Sequence, residues 1–380
     1  MTRRVAIVGA ALSDCGRVDT LSPHHLHQQA ASRALEAAGL QKSDIDGFGS
    51  TGLGLFPPVE IAEYLGLRPT WVDGTVIGGS TWLAMAEHAV EAIQAGHAET
   101  VLLAYGATVR ADLKSGRRSP VSFGARGPVQ FDIPYGHTLI SKYAMVARRH
   151  MHEFGTTIEQ LAEIAVSTRY NASLNPDAYY RDPITIEDVQ SSRMIADPLT
   201  KLHCCIRSDG GGAVILTSEE RARDLKLPPL FVLGSGEVTS HTTLTEWDDF
   251  TDSPARISGK TAFERAGITH DDVDVCQIYD AFTPMVLLSY EALGFCGKGE
   301  GGPFVEDGKM RVGGALPTNT DGGGLSCCHT GMRGMFLMVE AAKQLWGQCG
   351  DRQVPDARIA CVNGTGGWFS SAATLILGRE

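Results

Sequence analysis

The sequence predicts an α/β fold built from two similar halves, and three observations carry that prediction. Apolar strands alternate with segments of helical spacing, a stretch near residue 34 recurs near residue 262, and glycine-rich turns feed apolar helices in both halves. Strand–helix alternation indicates layers of helices on a largely parallel sheet. A duplication much longer than a solenoid unit indicates two packed halves rather than an array. With 380 residues, 43% of them hydrophobic, the chain can bury a large core.

Residues 5–10 form an apolar strand, residues 25–38 have helical spacing closed by Gly39, and residues 45–49 read as a second strand. A short helix over 59–65 follows Pro57-Pro58 and stops at Gly66. Residues 72–82 read as a strand end, a tight Gly78-Gly79 turn and a helix start, the helix running on to Ile93 before Gly96. Glycines there either let backbone N–H groups face a thioester oxygen, carboxylate or phosphate, or only let the helix lie close to a sheet. Ser80 and Thr81 read as helix-start caps rather than nucleophiles. Residues 100–106 form a buried strand. From about 108 to 202 the pattern changes to an insertion with helices over 138–154 and 157–172. Its cations Arg110, Lys114, Arg117, Arg118 and Arg126 read as a solvated surface or as a site for the phosphates of an anionic cofactor. The core pattern resumes at 204–217, and a strand over 230–234 begins the second half.

That half repeats the first. Ala34-Leu35-Glu36-Ala37-Ala38-Gly39-Leu40 and Asp44-Ile45-Asp46 match Ala262-Phe263-Glu264-Arg265-Ala266-Gly267-Ile268 and Asp272-Val273-Asp274 at one constant offset. The glycine-led helix 78–96 matches 329–347, and 212–216 matches 372–377. The domains are therefore 1–225, carrying the 108–202 insertion, and 226–380.

A net charge of −11 argues against nucleic acid as the main partner. Nine cysteines without a CxxC pair fit free thiols in a reducing compartment. The run after Arg4 is short and reads as a first strand rather than a signal peptide. No apolar run approaches the ~18–20 residues of a membrane span. The expectation is a soluble, cytoplasmic protein with no membrane span. Cys327-Cys328-His329 lacks a second ligand cluster, so no metal is expected.

Several motifs resemble the thiolase superfamily. Ser192-Arg193-Met194-Ile195-Ala196-Asp197-Pro198-Leu199 leading to Ser208-Asp209-Gly210 resembles the segment before the closing strand of its first half. Gln277-Ile278-Tyr279-Asp280-Ala281-Phe282 resembles its Asn-Glu-Ala-Phe or His-Asp-Cys-Phe motif. Asn319-Thr320-Asp321-Gly322-Gly323-Gly324 with Cys328-His329-Thr330-Gly331 resembles its Gly-His-Pro motif, and Asn363-Gly364-Thr365-Gly366-Gly367 its C-terminal glycine loop. The likeness covers nearly the whole chain and is greatest to the sterol-carrier or lipid-transfer type. It implies a thiolase fold, two α/β halves in a five-layer αβαβα arrangement with a loop-domain insertion.

The departures bear on function. An ungapped reading puts Val76 where a thiolase has its acyl-carrying cysteine, and no cysteine lies between Cys15 and Cys204. A valine cannot form a thioester, so acyl transfer through that position is excluded. Asn363 and Thr365 stand where condensing thiolases have their second cysteine. The pattern resembles thiolase-like aldolases of sterol side-chain degradation, which lack the nucleophile and carry tyrosine in the motif that here holds Tyr279. The resemblance implies cleavage of a β-hydroxyacyl-CoA into a ketone or aldehyde and a shorter acyl-CoA, with Tyr279 and His329 as catalytic residues. A tyrosine acting as base at pH 7 needs its pKa lowered from about 10. His329 stands where those aldolases have a second tyrosine. The implied oxyanion pocket is Val76, Gly78, Gly79, Ser80, Asn319, Asn363, Gly366 and Gly367, with Arg110, Arg117, Arg118 and Arg126 toward coenzyme A. Coenzyme A enters as part of the substrate, with no permanently bound cofactor. A homodimer and a zinc-ribbon/OB-fold partner protein are implied too. Two alternatives stay open: a non-catalytic acyl-CoA- or lipid-binding scaffold subunit, and an acyltransferase using Cys328 or Cys361.

Overall fold

The computed structural model describes residues 3–116, 127–136 and 138–380. The first half runs β1 (Val5–Leu12), α1 (Pro23–Ala38), β2 (Gly47–Gly49), α2 (Pro57–Leu65), β3 (Trp71–Asp73), α3 (Thr81–Gln94) and β4 (Thr100–Ala107). Next come α4 (Val109–Lys114), α5 (Leu139–Phe154), α6 (Ile158–Ser173), α7 (Ile186–Ser191) and the small hairpin β5 (Met194–Ala196) and β6 (Leu199–Thr200). β7 (Gly210–Ser218) and α8 (Glu219–Ala222) close this half. The second half runs β8 (Leu230–Thr239), α9 (Ala255–Ala266), β9 (Val275–Ile278), α10 (Thr283–Leu293), α11 (Gly301–Phe304), α12 (Gly334–Leu345), β10 (Ile359–Gly366) and β11 (Ser371–Arg379).

The main sheet has the order β3-β2-β4-β7-β1-β8-β11-β10-β9. Its halves join where β1 meets β8, with Ala6 opposite Phe231 and Ile7 opposite Leu230. The sheet is mixed rather than largely parallel. Only β2–β3, β2–β4 and β9–β10 pair in parallel among the described strands. The closing strand of each half, β7 or β11, runs antiparallel to both its neighbours. In the second half the reason is local, since a four-residue connection allows only a reversal.

The duplication is visible in atomic detail. α1 ends on Gly39 and α9 on Gly267, both left-handed with φ of 75° and 67°, where a side chain would be strained. After each, one aspartate ties the incoming strand to a neighbour. Asp46 accepts from the N–H groups of Glu99 and Thr100, and Asp274 from those of Arg358 and Ile359. α1 covers the outer face of the first half and α9 that of the second. α3 and α12 lie between, touch each other and are almost wholly buried against strands of both halves. This is the αβαβα order. It sets the two glycine-led helix starts, one from each half, side by side at the centre.

The segment between β4 and β7 packs onto this core. α6 lies on α10 and on the Gly323–Cys327 turn, and Tyr143 of α5 donates to the Gly367 carbonyl at 2.8 Å. All nine cysteines are free. No helix among the described residues is long and apolar enough to cross a membrane.

Candidate active site

Tyr279 follows β9 directly, its N–H bonded to the Asn363 carbonyl of β10 at 3.0 Å. Its ring lies against Gly79. A Cβ on that glycine would stand 2.2 Å from the ring's Cε2 and 2.4 Å from the Thr365 carbonyl oxygen, so only glycine fits there. Gly78 has φ of 84°, and a Cβ on it would lie 2.7 Å from Gly366 Cα and Gly367 N. The two glycine loops of the sequence therefore press on each other beside the phenol.

His329 comes from the segment between the Gly323–Cys327 turn and α12. Its N–H donates to Ser208 Oγ at 2.9 Å, and the Ser208 N–H donates to its carbonyl at 3.1 Å. This fastening puts His329 Nε2 3.2 Å from Tyr279 Oη, the two rings edge to face. The Arg333 N–H donates to Tyr279 Oη at 3.3 Å, and the phenol's own proton has two acceptors in reach, His329 Nε2 and, at 3.4 Å, the Gly331 carbonyl. Both rings are largely buried, Tyr279 at 4% and His329 at 9% exposure. Burial, and to a smaller degree the Arg333 charge, push the histidine down to about 3. Burial raises the Tyr279 phenol well above its ordinary 10. Both groups are neutral at pH 7. The lowering that a tyrosine base requires is not present: burial withholds water from the phenolate and outweighs the hydrogen bond from the Arg333 N–H.

The other expected site residues divide. Val76 sits on the exposed loop ahead of the turn, 59% accessible. Ser80 is fully buried, bonded to Ser371 Oγ at 2.7 Å, while Thr81 Oγ1 caps the Ile77 N–H at 2.9 Å. Ser80 thus braces α3 against β11 instead of capping it. Asn319 and Asn363 are fully buried around Tyr279 and turned toward other groups: Asn319 Oδ1 accepts from the Ile278 N–H at 2.8 Å, and Asn363 Nδ2 donates to Thr374 Oγ1 at 2.9 Å. They hold the strand ends that carry the phenol. Arg110 bonds Asp19 at 2.5 Å. Arg117, Arg118 and Arg126 lie outside the described residues. Cys361 is fully buried in register with Cys276, and burial raises the Cys328 thiol well above its ordinary value, which suits neither as nucleophile. Arg333 was not singled out from the sequence, and Ser208 was named only within the segment before β7, with no role at the site. A lone Ser or Arg carries no signal until the fold brings it to the site.

With this geometry in place, comparison with known proteins is specific. Residues 236–379 match the thiolase C-terminal domain-like family. The chain is 34% identical to the 17-hydroxy-3-oxo-4-pregnene-20-carboxyl-CoA lyase of Mycobacterium tuberculosis, over all of both chains. It is 32% identical to a steroid side-chain-cleaving aldolase of Thermomonospora curvata, covering 99% of this chain and 98% of that one. It is also 34% identical to an acetyl-CoA acetyltransferase of Methanothermobacter thermautotrophicus, covering 99% and 100%. A solved structure described as the Ltp2-ChsH2(DUF35) aldolase superposes with a TM-score of 0.90 at 32% identity, covering 99% of this chain and 98% of that chain. The chain belongs to the thiolase superfamily. Within it, the full-length likeness to steroid side-chain-cleaving aldolases and CoA lyases makes this a thiolase-like aldolase, in which Tyr279 lies beside His329.

Proposed function

We propose that the chain cleaves the Cα–Cβ bond of a β-hydroxyacyl-CoA carrying a tertiary alcohol on a steroid side chain, releasing a ketone and acetyl- or propionyl-CoA. The observation that carries this reading is the 3.2 Å contact between two buried, neutral rings, Tyr279 and His329. A neutral pair suits a relay in which each ring takes one proton and gives one away. The β-hydroxyl proton passes to Tyr279 Oη while the phenol proton moves to His329 Nε2. The Cα–Cβ electron pair becomes the thioester enolate, and the β-carbon becomes the ketone. His329, now cationic beside the enolate, stabilises it and then protonates Cα. Its depressed proton affinity makes that last transfer downhill. Both residues end as they began, and no acyl-enzyme forms. The backbone of Gly366 and Gly367 supplies further donors to the enolate oxygen in this reading. Coenzyme A is part of the substrate.

The same proposal includes the division at residue 225, the 108–202 segment as a loop domain, and a cytoplasmic homodimer. β3 is an edge strand, and Leu55, Phe56, Val59, Tyr64, Val72 and Val76 around it are exposed apolar side chains, a surface that favours a second copy. The Ltp2-ChsH2(DUF35) likeness favours a partner of the zinc-ribbon/OB-fold kind.

The test is direct. The purified chain, with and without such a partner, is given a tertiary β-hydroxyacyl-CoA and products are followed by mass spectrometry. A ketone plus a shorter acyl-CoA, lost in Tyr279→Phe, is the expected result. Cleavage undiminished in Tyr279→Phe, or no cleavage even with the partner, overturns the reading.

A further inference from the structure

Directly behind the two rings lies a buried ion cluster with no assigned part in the reaction. Arg333 is fully buried, and its guanidinium meets both Asp321 oxygens at 2.6 Å through Nη2. Its Nε is 3.3 Å from Asp280 Oδ1. Nη1 donates to the Cys328 carbonyl at 2.7 Å, the peptide that leads into His329. The main-chain N–H of the same residue is the donor to Tyr279 Oη. Asp280, the residue after Tyr279, accepts from the N–H groups of Gly324 and Leu325, and a Cβ on Gly324 would lie 3.0 Å from the His329 ring. One residue thus holds the phenol through its backbone and the histidine's chain through its side chain.

We propose that Arg333, clamped by Asp280 and Asp321, is a positioning residue of the reaction: it fixes the Tyr279–His329 distance and keeps a positive charge behind the imidazole. This rests on the reading of Tyr279 and His329 as the reacting pair. A buried ion cluster is a poor way to gain stability, since apolar side chains of the same volume fill such a space at least as well. A planar guanidinium whose Nη1 and Nη2 are held by different groups is instead a rigid way to set an angle. The charged and titratable groups around the imidazole are Tyr279, Asp280, Arg333 and Cys328, with Asp321 beyond Arg333 and Asp209 beyond Cys328. Arg333 is the one cation among them. Its charge adds to burial in keeping His329 unprotonated.

Arg333→Lys and Arg333→Met separate position from charge. Position predicts that both lose kcat, roughly 10- to 100-fold, with KM within about twofold, because a small misplacement of reacting groups costs on that order. Charge predicts that only Arg333→Met gains an acid limb in kcat/KM, as the His329 titration moves upward. Nitrogen-15 shifts of the imidazole check that movement without reference to turnover. Asp280→Asn keeps the shape and, with one acceptor oxygen in place of two, one of its two N–H contacts, and is the variant to use if the Arg333 changes unfold the chain. It is expected to lower kcat severalfold at unchanged KM. Folded variants with wild-type kcat and no shift of the imidazole titration overturn the proposal. So does a loss that only tracks the folded fraction measured by circular dichroism. Tyr279→Phe with full activity would instead sink the underlying reading of the pair.

Discussion

The starts of α3 and α12 descend from one duplicated pattern, sit in contact at the centre of the molecule, and do opposite things. Gly79 and Gly334 approach so closely that a Cβ on Gly334 would lie 2.5 Å from the Gly79 carbonyl oxygen. At the α12 start the polar groups face the phenol: His329 Nε2 and the Arg333 N–H both meet Tyr279 Oη. At the α3 start they are consumed within the fold, Ser80 on Ser371 and Thr81 on Ile77. Duplication supplied two helix starts. In the proposed reaction one carries the chemistry, and the other is the wall it works against.

If that division is right, the largest effect belongs to the chemical side. His329→Gln is expected to lower kcat by roughly 10²- to 10⁴-fold, the range for removing a proton-transfer group. Its melting temperature should stay near or above that of the wild type, since a buried imidazole is replaced by a neutral amide; steady-state kinetics with a thermal scan checks both. Next comes the wall. Gly79→Ala drives a methyl into the Tyr279 ring and the Thr365 carbonyl, and should cost about 1–3 kcal/mol of stability. A loss of about 100-fold in kcat should accompany it as the phenol is displaced. A folded Gly79→Ala with full activity would show that the first-half turn has no part in holding the phenol.

The pH dependence of stability is a third, smaller effect. His329 is pushed down to about 3, and His27 and His203 to about 4, chiefly by burial. Between those values and 6.5 the unfolded chain binds protons that the folded chain refuses, so stability falls as pH drops through that window. Asp280, raised to about 7 by burial, opposes this between 3.8 and 7, because there the folded state holds the extra proton. His241, lowered by burial, adds to the loss and Glu87, raised by burial, opposes it, so the histidines leave a net loss from pH 6.5 to 4, read as a falling denaturant midpoint. His329→Gln should flatten the slope. The smallest effect is at Ser80. Ser80→Ala removes one buried hydrogen bond, worth about 1 kcal/mol, and should leave kcat within about threefold. A large kcat loss there would return a catalytic role to the first half.

Much of the architecture was legible from local signals. Pro57 and Gly66 bracket α2, and Gly39 and Gly267 end helices whose downstream aspartates do matching work. The constant offset between the repeats gave the halves, and the tyrosine and histidine motifs named two rings that the fold brings into contact. Strand direction was misjudged as largely parallel, because apolar runs such as β7 and β11 read the same in either orientation. The pocket glycines were named from the motifs, and one of them has a packing role beside the phenol. Gly79 clears space for the Tyr279 ring, which no local pattern reveals.

By itself, then, the sequence determined the duplication, the helix stops and the tyrosine and histidine that the fold brings together. These depend on residue type and on neighbours a few positions away. Only the tertiary structure decided that Ser208 would fasten His329 from 121 positions away, and that Arg333 would stand behind both rings between Asp280 and Asp321. It also decided that the phenol would be neutral rather than a ready base. Burial sets a side chain's proton affinity, and burial is a property of the packed chain that no residue carries alone.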